Sequence, residues 1–350
     1  MEIAVFLALS SGLFLGWSLG ANDAANVFGT AVGTRMVKFS TAAIVCSIFV
    51  ILGAVFSGAG TADTLGKLGA INALGGAFVA AFAAAITVYW MTKAGLPVST
   101  SQAIVGAIIG WNMFSGSPTD SQTLIKILTT WVACPILAAL IAAPLFKMTQ
   151  AYLRWAKFHI LRLDAYTRAA LIFAGAFGAY SLGANNIANV MGVFVGVSPF
   201  SDFEITHYLT FTSVQQLFLL GAISIAVGVF TYSKKVMLTV GSDILPLSPV
   251  AAWVVVIAHS IVLFMFASQG LEAFLKGAGL PTIPLVPVSS SQAVVGAVIG
   301  IGLLKGGKEI QWQTIGRISA GWVATPLASA LVCYIMLFFA QNVFLQDVYR

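Results

Sequence analysis

The sequence predicts an all-α polytopic membrane protein made of two repeated halves. Three observations carry that expectation. Hydrophobic residues make up 59% of the chain and charged residues only 8%. Apolar runs of bilayer-crossing length follow one another along it. Three short motifs recur in the same order in each half.

Composition sets the environment. A soluble domain carries about 25% charged residues. A chain with 8% and a mean hydropathy of +0.97 presents its surface to lipid. Its 350 residues then fit roughly ten crossing or re-entrant segments of about 20 residues each, rather than two soluble domains. The apolar runs cover 3–21, 40–60, 72–93, 123–146, 168–190, 208–231, 249–271 and 313–340. Two further stretches, 97–114 and 287–304, begin at a proline and are short for full spans. They are expected to form broken helices or re-entrant hairpins. Val236–Leu247 is apolar but too short to place. The runs lack the alternation of a membrane β-barrel. The first run follows Met1 and Glu2 with no basic segment before it and no small-residue cleavage pattern after it, so it is expected to be the first membrane helix.

The net charge of +6 is spread over connecting loops and is not a nucleic-acid footprint. Its densest group is Lys147, Arg154, Lys157, Arg162 and Arg168, between the halves. The positive-inside rule places this loop in the cytoplasm and the chain, multi-pass, in the cell (inner) membrane. The expected organisation is a first membrane repeat at 1–150, a basic linker at 151–167 and a second membrane repeat at 168–350. Cys46, Cys134 and Cys333 lie far apart in apolar stretches and are expected to be small buried hydrophobes. His159, His207 and His259 share no ligand spacing. No HExxH or Walker-type pattern occurs, which leaves a zinc hydrolase or an ATP-driven pump unsupported.

The repeat is the most informative feature. Ser18–Gly33 reads SLGANDAANVFGTAVG and Ser181–Gly196 reads SLGANNIANVMGVFVG, with 11 of 16 positions identical. Pro97–Gly110 reads PVSTSQAIVGAIIG and Pro287–Gly300 reads PVSSSQAVVGAVIG, with 11 of 14 identical. Trp131–Pro135 is WVACP and Trp322–Pro326 is WVATP. The matched positions are largely Gly, Asn, Ser, Gln and Pro, so chance similarity between apolar runs does not explain them. The first two boxes are 77 residues apart in one half and 104 in the other. The extra 27 residues are expected around Tyr232–Val250.

The boxes carry chemistry. Asn22 and Asn26 are four residues apart, as are Asn185 and Asn189, so each pair shares a helix face. Asp23 follows Asn22, and Asn186 takes the same place in the second box. Gly20 and Gly183 are expected to let the backbone leave the helix just before these residues. Amide oxygens, a carboxylate and freed carbonyls are hard ligands that suit Na⁺ rather than a transition metal. The plainer alternative is hydrogen bonding between packed helices, with glycine for close approach. In the second boxes, Ser99, Thr100, Ser101 and Gln102, and Ser289, Ser290, Ser291 and Gln292, follow a proline. Proline interrupts one helix and favours the start of another, and Ser and Thr cap helix N-termini. Each box is therefore expected to set a helix N-terminus, a site for an oxyanion, at membrane depth. No Lys or Arg lies in any of the four boxes, so bound cations would balance the anion. Lys126 and Arg317, each five residues before the repeated Trp, are expected to snorkel to an interface.

GANDAAN and GANNIAN with the paired PVS(T/S)SQ boxes resemble the inorganic phosphate transporter (PiT) family over nearly the whole chain. The resemblance implies inverted-topology repeats whose broken helices or re-entrant hairpins meet near the midplane, alternating access, phosphate uptake driven by a Na⁺ or H⁺ gradient, and a homodimer. One departure stands out: Asn186 occupies the position of a second Asp in the full signature. The expected cation ligands are Asn22, Asp23, Asn26, Asn185, Asn186 and Asn189. The expected phosphate contacts are Ser99, Thr100, Ser101, Gln102, Ser289, Ser290, Ser291 and Gln292. Na⁺ is the expected co-transported ion, with no cofactor, because amides accept no transported proton and Asp23 alone is a candidate carrier. The rivals are a proton-coupled phosphate carrier, a sulfate carrier and an oxyanion channel.

Overall fold

The computed structural model describes residues 2–93, 98–206, 209–240, 247–308 and 310–350. The first half forms α1 (Glu2–Gly33), α2 (Phe39–Ser57), α3 (Ala59–Leu68), α4 (Leu74–Lys93), α5 (Thr100–Ser115) and α6 (Ser121–Ala156). The second forms α7 (Ile160–Val195), a small antiparallel hairpin of β1 (Phe203–Thr206) and β2 (Leu209–Phe211), α8 (Ser213–Thr231), α9 (Ser233–Val240), α10 (Pro249–Met265), α11 (Gln269–Gly277), α12 (Ser290–Leu304) and α13 (Trp312–Asn342). Among the described residues, α1, α2, α4, α6, α8 and α13 are long and apolar enough to cross a membrane. α10 and α11 together make a seventh such unit, bent by 68°. α7 is 36 residues long but bears the second Asn box and falls outside that set.

Local sequence sets the helix ends. The Asp120 carboxylate caps α6 by accepting from the Gln122 N–H at 3.0 Å and the Thr123 hydroxyl at 2.8 Å. These bonds hold its carboxyl below the usual range. Thr212 and Gln215 close a reciprocal capping box at α8. Ser248 caps α10, with Pro249 in the first turn. Only 157–159 separate α6 from α7, so most of the basic segment is helical.

The two halves interlock by exchanging partners. α1 packs on α8 and α7 on α2; likewise α5 packs on α13 and α12 on α6. Glycine permits each approach. A Cβ on Gly20 would lie 2.0 Å from the Ile225 carbonyl oxygen, and one on Gly183 would lie 2.1 Å from that of Val50. This corrects the expectation for these two residues. α1 and α7 run unbroken through their Asn boxes, and the glycines admit a neighbouring backbone instead of releasing their own. In a lipid-embedded core, a helix left unwound against apolar neighbours would leave N–H and C=O groups unpaired. The same device recurs at Gly106 against Pro326 and Gly296 against Pro135. Outside this core, α6 and α13 turn large apolar side chains outward, among them Val132, Leu140, Val323 and Leu331. Lys126 and Arg317 are also exposed on these helices.

The extra length of the second half lies elsewhere than expected. Eleven additional residues fall between Gly196, the end of the second Asn box, and the start of α8, in the segment that holds the β-hairpin, relative to the stretch from Gly33 to α2. Fifteen fall between the start of α10 and the cap of α12, in α11 and the extended stretch after it. The Tyr232–Val250 region contributes a single residue, because α9 there matches α3 in the first half. The apolar stretch Val236–Leu247 is part of α9 up to Val240; residues 241–246 lie outside the described residues.

Gly20→Ala should cost about 1–3 kcal/mol through overpacking against a backbone carbonyl, read as a lower unfolding midpoint in detergent. Gly66→Ala meets nothing within 4 Å and should leave the midpoint unchanged or raise it. Equal midpoints for the two variants would rule out close packing as the role of Gly20.

Candidate functional site

α5 and α12 have 16 and 15 residues. At about 1.5 Å per residue they reach about 24 Å, short of a hydrocarbon core of about 30 Å. Both begin inside the protein, as the Pro-Val-Ser boxes predict. Ser99 Oγ accepts from the Gln102 N–H and Ser289 Oγ from the Gln292 N–H, each at 3.3 Å. Ser99, Thr100, Ser101, Gln102, Ser289, Ser290 and Gln292 are buried, whereas Ser291 is half-buried and pairs with Ser289 Oγ at 3.0 Å. Pro287 is in place just before its cap; Pro97 lies outside the described residues.

The two N-termini meet. The Ser101 hydroxyl, in the first turn of α5, donates to the Val288 carbonyl at 2.9 Å, immediately before the cap of α12. Its oxygen accepts from Asn189 Nδ2 at 2.8 Å. Asn189 Nδ2 also reaches Asn186 Oδ1 at 2.9 Å. The second Asn box therefore grips the first Ser box. The reverse holds too: Asn26 Nδ2 of the first box donates to Ser290 Oγ of the second at 3.1 Å. Asp23, only 4% exposed, lies beside the Thr100 hydroxyl. Asp23 and Asn186 hold corresponding places in the repeat and touch consecutive residues, Thr100 and Ser101.

Among the cluster's polar atoms that are buried with no partner in the described residues are Asn189 Oδ1, Gln102 Oε1, Gln292 Oε1, Asn186 Nδ2 and Thr100 Oγ1. A buried polar atom without a hydrogen bond is costly, and such atoms mark places where a ligand supplies the partner. Three are carbonyl oxygens, the donor type that suits a hard cation. Asn186 Nδ2 is an N–H donor and Thr100 Oγ1 a hydroxyl, and both suit an anion, as do the two helix N-termini.

Two of the expected ligands stand apart. Asn185 clamps the extended strand ahead of α12: its Nδ2 donates to Val286 O at 3.1 Å and its Oδ1 accepts from Val288 N–H at 2.8 Å. Asn22, its repeat counterpart, donates to Ser18 O within its own helix and accepts from the Thr92 hydroxyl at 3.4 Å. It faces Tyr89, Lys93 and Tyr232 in a separate crevice.

One residue was missed by the search for ligand spacing. His259 on α10 is fully buried, and its Nε2 lies 3.0 Å from Ser290 Oγ. The available signal was simpler than a motif: an ionisable residue inside an apolar run. The three cysteines are buried and free.

A sequence profile of the phosphate transporter family matches residues 19–333, with a second, overlapping match over 279–349. A protein of Methanocaldococcus jannaschii carrying the name "Putative phosphate permease" is 28% identical over 337 residues, covering 96% of this chain and 98% of its own. One of the same name from Pyrococcus furiosus is 25% identical over 408 residues, with 95% of each chain covered. Among solved structures, one described as a sodium-dependent phosphate transporter shares the fold. It has a TM-score of 0.72, covers 97% of this chain and 100% of its own, and is 23% identical.

Asn185→Leu should lower the unfolding midpoint in detergent more than Asn22→Leu does. The first change strips two buried backbone groups of their partners, at about 1–3 kcal/mol for each, whereas Asn22 makes one long contact to another helix. The reverse order would show that the Asn185 clamp does not hold the strand.

Proposed function

The chain belongs to the phosphate transporter family, and from that premise we propose that it imports inorganic phosphate together with Na⁺, by alternating access at the cluster where the two pairs of boxes meet. As a phosphate transporter it is a multi-pass membrane protein and not an enzyme.

The observation that carries the reading is one buried cluster holding both kinds of ligand chemistry. Asp23 and the unpaired oxygens of Gln102, Asn189 and Gln292 provide for cations. The N-termini of α5 and α12, with the Asn186 amide and the box hydroxyls, provide for the oxyanion. Phosphate then binds through Thr100, Ser101, Ser290 and Ser291 and the first-turn N–H groups. Asp23, Asn26, Asn186 and Asn189 contribute to the cation positions.

Charge balance supplies the coupling. Buried charge must be nearly compensated, and no Lys or Arg lies in the boxes. Asp23 and a dihydrogen phosphate ion each carry one negative charge, which two Na⁺ neutralise; the monohydrogen form calls for three. Each ion then stabilises the other, so the site holds phosphate poorly without cations. The sodium dependence of the solved relative favours the same ion. The basic segment between α6 and α7 faces the cytoplasm under this reading. Proton coupling is the second reading, favoured by one observation: His259 gives the cluster a proton-accepting group besides Asp23.

Radiolabelled phosphate uptake into proteoliposomes separates the two. Under the sodium reading an imposed Na⁺ gradient at constant pH drives accumulation, and Asp23→Asn lowers that uptake at least about tenfold, within the usual range of coupling energies. Accumulation driven only by a pH gradient would replace Na⁺ by H⁺. Fast flux with no accumulation against a gradient would indicate a channel, and equal competition by sulfate a general oxyanion carrier.

A further inference from the structure

Ser290 is the first residue of α12. Two side chains from other helices converge on its oxygen: Asn26 Nδ2 from α1 at 3.1 Å and His259 Nε2 from α10 at 3.0 Å. An amide nitrogen can only donate, so Asn26 fills one lone pair of the hydroxyl. The imidazole nitrogen can either accept the serine proton or donate its own. The other ring nitrogen, Nδ1, settles which. It is buried with no partner among the described residues. A buried N–H without an acceptor is rarer in proteins than a bare acceptor atom. The proton therefore belongs on Nε2, and His259 donates to Ser290.

A hydroxyl that accepts twice has both lone pairs occupied, and its own hydrogen must be donated elsewhere. Around Ser290 the groups that share this outward character are the first N–H groups of α12. Gln292 N–H is taken by the Ser289 hydroxyl and Ala293 N–H by the Ser289 carbonyl. Those of Ser290 and Ser291 have no intrahelical partner. The repeat position in the first half is wired differently. Thr100 lies beside Asp23, and its hydroxyl has no hydrogen-bond partner among the described residues. α4, the counterpart of α10, contains no histidine.

We propose that His259 is a positioning residue for the substrate: with Asn26 it orients the Ser290 hydroxyl so that its hydrogen joins the α12 N-terminus in binding the oxyanion. The Ser290 hydroxyl is thereby fixed as a donor to the anion, a support that no histidine gives Thr100 in the first half. This rests on the phosphate-transport reading above.

The test compares His259→Gln with His259→Asn in the full chain, as radiolabelled phosphate uptake by proteoliposomes. Both replacements are polar and close in size to histidine, but only the Gln amide nitrogen reaches the place of Nε2. His259→Gln should keep the phosphate KM within about threefold of wild type. His259→Asn should raise it about tenfold with little change in maximal rate, as expected for one lost hydrogen bond to an ionised ligand. In a Ser290→Ala background the difference between Gln and Asn should vanish, because the hydroxyl through which His259 acts is gone. The inference is overturned if Gln and Asn behave alike in the wild-type background, or if their difference survives in Ser290→Ala. A wild-type chain inert toward phosphate but active with sulfate overturns the phosphate reading itself. A wild-type chain that transports phosphate while the two variants match each other overturns the role of His259 alone.

Discussion

Two helices too short to cross a bilayer end face to face inside this protein, and the rest of the architecture makes that arrangement tolerable. A helix N-terminus leaves backbone N–H groups unpaired, and at membrane depth there is no bulk water to satisfy them. Ser99 and Ser289 each take one such group. The Ser101 bond to the Val288 carbonyl then ties the two ends together. Several of the buried polar atoms left without a partner, those of Gln102, Asn186, Asn189 and Gln292, lie around this junction.

The interlocking of the halves follows from this requirement. Each short helix lies against the proline-containing helix of the other half: α5 on α13 and α12 on α6. Each long box helix likewise packs against the second helix of the opposite half. Glycines at the crossing points bring backbones closer than any side chain would allow. Neither half can assemble its own site. The amide that reaches Ser290 comes from the first half, and the amide that reaches Ser101 comes from the second.

Duplication nevertheless left the two copies unequal. Asp23 corresponds to Asn186, and the first touches Thr100 where the second touches Ser101. Asn185 braces the strand before α12, while Asn22 turns to a crevice beside α4. The β-hairpin and α11 are additions to the second half alone. A perfectly symmetric site would have to offer the same donors to a cation and to an anion. Divergence of a few side chains gives the two ends different hydrogen-bonding capacity.

The sequence by itself determined the membrane setting, the duplication, the capped helix starts and the residue types at the site. These are local properties: hydropathy, capping chemistry and motif identity are written within a few consecutive residues. Tertiary structure decided what each group does. Gly20 and Gly183 suggested broken helices from glycine's backbone freedom, but the helices are continuous and a neighbouring backbone occupies the space beside them. His259 matched no motif, because its partner is set by helix packing and not by sequence interval. Asn26 and Ser290, 264 residues apart, share one hydrogen bond. Contacts at that separation depend on which helices exchange between the halves, and hydrogen-bonding capacity alone does not choose a partner.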